Sequence, residues 1–129
     1  MINRVFQLTI VLFSMLSLSY GQDTNERTQF FPKVELSVEN VPNKENLWVF
    51  ILAGQSNMAG RGLVEPQDTV PNNRVYTLNK QGNIILAKEP LHFYEPTMAG
   101  LDSGLSFGKA LIKHIPDSIS VLLIPTAVG

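Results

Sequence analysis

Seven consecutive apolar residues, Leu47 to Ala53, run without alternation and stop abruptly at Gly54; Gln55, Ser56 and Asn57 follow, and glycines return at 60 and 62. An unbroken apolar run of this length predicts a strand covered on both faces, as in a parallel sheet between helix layers. A strand that ends in Gly-X-Ser and turns sharply into a helix has the geometry of a nucleophile elbow. Small residues let such a turn close and let the backbone approach a ligand. The serine then stands at the carboxyl ends of the strands, where open α/β sheets bind ligands, and its backbone N–H points outward to stabilise a developing oxyanion. Met58 takes the place of the second glycine of the Gly-x-Ser-x-Gly pattern. On spacing alone, therefore, Ser56 can equally cap a helix and Asn57 fill a turn.

The rest of the chain supports an α/β unit. Val34 to Val38 alternates apolar and polar residues, which suits a short edge strand or an arm, and Glu39 to Asn46 is a loop. Arg61 to Asn73 has no helical period and reads as a long surface loop. Arg74 to Leu78 and Asn83 to Ala87 flank Asn79-Lys-Gln-Gly82, a hairpin pattern with Gly82 at positive φ. Lys88 to Leu101 is a loop containing prolines and aromatics. Asp102 or Ser103 offers an N-cap to an amphipathic helix carrying Leu105, Phe107, Leu111, Ile112 and Ile115, stopped by Pro116. Ser118 to Pro125 is a second buried-strand pattern. Strand, loop, helix and strand in this order predict a parallel sheet.

The first residues follow a different logic. Met1 to Arg4 is a short basic start, Val5 to Tyr20 is apolar, and Ser19 and Gly21 are the small residues of a cleavage site. The pattern predicts a signal peptide, residues 1–21, and secretion or export to the periplasm. The apolar run is about 16 residues, short of the roughly 20 that span a bilayer, so a stable membrane anchor is the weaker reading. Residues 22–46 then form a linker and N-terminal arm, and residues 47–129 the folded domain.

Composition narrows the chemistry. The chain has no cysteine, so disulfides and thiolate metal sites are excluded. Ten Lys/Arg residues face 11 Asp/Glu residues with no basic cluster, which speaks against nucleic acid and points to a neutral small-molecule partner. No His/Asp/Glu set has metal-ligand spacing, and no cofactor is predicted. Oligomeric state is not readable.

"FILAGQSNMAGRG", residues 50–62, resembles the nucleophile segment of the SGNH (GDSL-like) hydrolase superfamily, and more narrowly the carbohydrate esterases of the sialate O-acetylesterase and acetylxylan esterase type. Ala87-Lys-Glu-Pro-Leu-His92, Ser103-Gly-Leu-Ser-Phe-Gly108 and Ile124-Pro-Thr-Ala-Val-Gly129 resemble further family segments in the same order. The resemblance implies a three-layer, flavodoxin-like parallel sheet, ending here after an inner strand. It implies removal of O-acetyl groups from a glycan through an acyl-serine intermediate, with Ser56 as nucleophile. Its own N–H and that of a loop glycine, Gly129 or the residue beyond, would serve as oxyanion donors. Gln55 and Asn57 would shape the elbow and touch substrate, and His92 would lie near the site. The sugar stays open between sialic acid and xylan; Arg61 either meets a substrate carboxylate or is a solvated loop residue.

A serine hydroxyl needs a general base. The family's base lies in an Asp-x-x-His segment, and neither Asp102 nor Asp117 is followed by His three residues on. His114 reads as a helix-end residue, and His92 as a substrate-side or structural one. The expectation is an esterase whose first part is this chain, inactive and poorly folded by itself. The alternative is a non-catalytic glycan-binding remnant of a hydrolase fold; a membrane-tethered structural protein explains none of the motifs.

Overall fold

A computed structural model of the chain describes residues 28–129. The predicted signal peptide lies outside them. Strand β1 is Leu47–Leu52, followed by a one-turn helix α1, Ser56–Ala59; β2 is Val75–Leu78, β3 Ile84–Leu86, α2 Gly104–Leu111 and β4 Ser120–Pro125. The four strands form one sheet in the order β1-β4-β2-β3. β4 runs parallel to both β1 and β2, while β3 returns antiparallel from β2 through the hairpin, where Gly82 has φ 83°. The sheet is thus mixed rather than wholly parallel, because a hairpin with only residues 79–83 between its strands permits only antiparallel return.

β4 and β2 are the inner strands, and Val121, Leu122 and Leu123 of β4 are buried. Leu52, Val75, Val121 and Leu123 pack with Leu105 and Ile112 into the core between sheet and helix. Phe50 meets Phe107 edge to face, with ring centroids 5.1 Å apart. The turn between α2 and β4 is pinned by Arg74, whose guanidinium donates to the Ile119, Ile112 and Pro116 carbonyls and to Asp117. Residues 34–38 are an arm that touches the sheet through one antiparallel bridge, Ser37 to Ile85.

β1 departs from the expectation of a strand covered on both faces. It is an edge strand, and Val49 and Ile51 are 53% and 67% exposed. Alternate side chains of a strand point to opposite faces. Leu52 enters the core beneath α2, while no described residue covers Val49 and Ile51 on the other face. An unbroken apolar run records that both faces are apolar; it does not record what covers them.

Candidate active site at the strand ends

The carboxyl ends of β1, β4 and β2 lie along one edge of the sheet, because these three strands are parallel. Thr126, just past β4, donates through its backbone N–H to the Leu52 carbonyl at 3.1 Å, which holds the exits of β1 and β4 side by side. From Leu52 the chain turns sharply. A Cβ on Gly54 would stand 2.8 Å from the Met58 Cβ, closer than side chains approach, so the turn closes only on glycine. The Gln55 carbonyl accepts the N–H groups of Met58 and Ala59 at 2.9 Å, which starts α1. α1 ends at Gly60, which has φ 81° and presses against the Gly100 carbonyl. Ser56 is the first residue of α1, where backbone N–H groups have no partner within the helix. Gln55, Ser56 and Asn57 are all exposed. Among the described residues the Ser56 hydroxyl has no hydrogen-bond partner.

The segment leaving β4 returns to this turn. A Cβ on Gly129 would lie 3.4 Å from the Ser56 nitrogen and 3.5 Å from the Gln55 Cα. The structure therefore brings together four residues singled out from sequence: Gln55, Ser56, Asn57 and Gly129. The Gly129 N–H, however, donates to Glu95 Oε2 at 3.0 Å. Arg61 Nη2 donates to the same carboxylate at 2.8 Å, Nη1 donates to the Gly60 carbonyl at 3.0 Å, and the guanidinium also reaches the Gly129 carbonyl. The Gly129 N–H, with Arg61 behind it, holds the Glu95 carboxyl below the usual glutamate range. Arg61 is thus neither a solvated loop residue nor a free receptor for a substrate anion: it already has a carboxylate.

His92 stands apart from the four. It is 3% exposed, and its Nδ1 lies 2.8 Å from Asp102 Oδ2. Asp102 Oδ1 accepts the Gly104 N–H at 2.5 Å, so Asp102, rather than the Ser103 hydroxyl, caps α2. A substrate contact expected of His92 meets a buried side chain tied to a helix cap. Glu89 is buried beside them, 1% exposed, and among the described residues neither carboxyl oxygen has a hydrogen-bond partner of good geometry. Burial first, and the Asp102 charge second, push its pKa up to about 9, so it carries a proton at neutral pH. His114 is exposed in the turn after α2. Neither histidine is hydrogen-bonded to Ser56.

A cavity of about 260 Å³ opens between the arm, the hairpin and the 90–99 loop, lined by Phe31, Thr77, Asn79, His92 and Phe93 among others. Ser56, Gln55, Asn57 and Gly129 do not line it. Sequence reasoning missed Glu95 and Glu89. Nothing marks Glu95 as a partner of a residue 34 positions away, and Glu89 stands out in the sequence only as part of the 87–92 segment.

The family model for carbohydrate esterases described as sialic acid-specific acetylesterase matches residues 46–129. A probable carbohydrate esterase of Arabidopsis thaliana is 32% identical over 114 residues, which are 75% of this chain and 42% of that protein. Its X-ray structure superposes with a TM-score of 0.57, over 65% of this chain and 42% of its own. The crystal structure of NanS, 24% identical, matches the fold with a TM-score of 0.50 over 69% of this chain and 37% of NanS. The chain spans well under half the length of these relatives.

Proposed function

This chain belongs to the sialic acid-specific acetylesterase family of carbohydrate esterases, and on that membership we propose that Ser56 is the nucleophile of a carbohydrate acetylesterase. One observation supports the reading most: an exposed serine at the first turn of α1, reached from a parallel strand through a glycine whose missing side chain lets the turn close against Met58. In the proposed reaction the Ser56 Oγ attacks the acetyl carbonyl of an O-acetylated sugar while a base takes its proton. The carbonyl oxygen gains negative charge beside the free Ser56 N–H, the sugar hydroxyl leaves with a proton, and water then releases acetate from the acyl-serine. Gln55 and Asn57 border the same mouth and contact the substrate. The Gly129 N–H is engaged by Glu95, so within this arrangement the Ser56 N–H is the donor to the oxyanion.

His92 is buried and His114 is not bonded to Ser56, so the general base in this reading comes from the part of the family domain outside the matched span. The 129 residues by themselves are then proposed to release acetate at background rate. The N-terminal leader supports a further proposal, that the enzyme acts after secretion. The test is acetate release from acetylated xylo-oligosaccharide and from O-acetylated sialic acid, by a polypeptide carrying this chain with the rest of the family domain. Ser56→Ala abolishes release if the proposal is right, and full activity in that variant refutes it.

A further inference from the structure

We propose that Arg61 and Glu95 are positioning residues: a charged clasp that holds the segment leaving β4 against the backbone of Ser56. Three separate stretches meet in it. Arg61 follows the glycine that ends α1, Glu95 sits in the loop before α2, and Gly129 lies four residues past β4. Glu95 Oε2 accepts from Arg61 Nη2 at 2.8 Å and from the Gly129 N–H at 3.0 Å. Arg61 turns its other nitrogen to the Gly60 carbonyl at 3.0 Å, so the fork is anchored to the end of the elbow helix as well. A planar guanidinium can bridge a carboxylate and carbonyls at once; an ammonium offers no such fork. The pair is about one-quarter to one-third exposed, Arg61 at 23% and Glu95 at 32% of their side-chain surfaces. An isolated pair so placed adds little to global stability, because solvent screens it. Its effect is local, and what it fixes is the Gly129 backbone, packed on Gln55 and Ser56.

The functional meaning of this rests on Ser56 being the nucleophile, but the clasp itself is tested without any turnover. NMR of a polypeptide carrying this chain with the rest of the family domain follows three signals: the Glu95 side-chain carbon against pH, the Ser56 amide, and hydrogen exchange at Gly129 relative to Leu123 in the core. In the wild type Glu95 titrates below the ordinary glutamate range, and the Ser56 amide moves with it. Glu95→Gln shifts the Ser56 amide at neutral pH and speeds Gly129 exchange about tenfold relative to Leu123, the scale of one charge-assisted hydrogen bond. Arg61→Lys, which keeps the charge but loses the fork, gives an intermediate change. A Ser56 amide and a Gly129 exchange ratio indifferent to Glu95→Gln overturn the proposal, as does Gly129 exchange at the free-peptide rate in the wild type. Failure of the esterase reading is a separate outcome, seen only in acetate release by Ser56→Ala.

Discussion

Single atoms decide whether the elbow forms. Gly54→Ala places a methyl 2.8 Å from the Met58 Cβ, and the turn must open to admit it. The expected cost is about 1–3 kcal/mol of stability, the range for overpacking a closed site, measured by urea unfolding. Glu89 offers a second test at this scale. Its folded-state pKa of about 9 stands above the ordinary value of 4.5, chiefly through burial. A raised pKa means that the folded chain holds the proton more tightly than the unfolded one. The resulting stability is full below pH 4.5 and is lost progressively as the pH rises toward 9. Glu89→Gln removes the titration, so its urea midpoint should stay flat across that window while the wild type declines, and the two curves should separate most at the alkaline end. Parallel curves would show that Glu89 is not the group responsible. Of these residues the sequence made Gly54 and Ser56 legible, since a tight turn after an apolar strand admits few alternatives. It left Glu89 and Glu95 silent, because a scattered carboxylate looks the same whether it is solvated, buried or paired across 34 residues.

The elements were more legible than their surroundings. β2, β3 and α2 fall where hairpin chemistry and helical periodicity put them, and Asp102, one of two candidate caps, is the one that bonds the Gly104 N–H. β1 is the strand its apolar run predicts, but among the described residues one of its faces has no cover. Its neighbours in the sheet come from Ser120–Pro125, and no local pattern states on which side a partner is lacking. The consequence is testable. An unpaired edge carrying Trp48, Val49 and Ile51 at the surface invites edge-to-edge association. Ile51→Lys should lower the self-association of the chain in sedimentation velocity, with stability changed by no more than about 0.5 kcal/mol, as for other surface substitutions. Unchanged association would move the contact elsewhere.

At the scale of the molecule, three parallel strands deliver their carboxyl ends to one edge, and two of those exits, from β1 and β4, are fastened together around Ser56. The proposed chemistry rests on that convergence rather than on the cavity between the arm and the hairpin. Fold class was readable because it depends on short-range turns and on strand order, and Ser56 stands out in the sequence because the turn that carries it is local. The base was not readable, because a triad is completed by residues distant in sequence. The account stands or falls on Ser56 as the atom that takes the acyl group. The most direct measurement is peptide mapping by mass spectrometry after a fluorophosphonate, a serine-directed probe, reacts with a polypeptide carrying this chain and the rest of the family domain. The account predicts one adduct, on the peptide containing Ser56, lost in Ser56→Ala. An adduct on another residue, or none in a preparation that releases acetate, would contradict it.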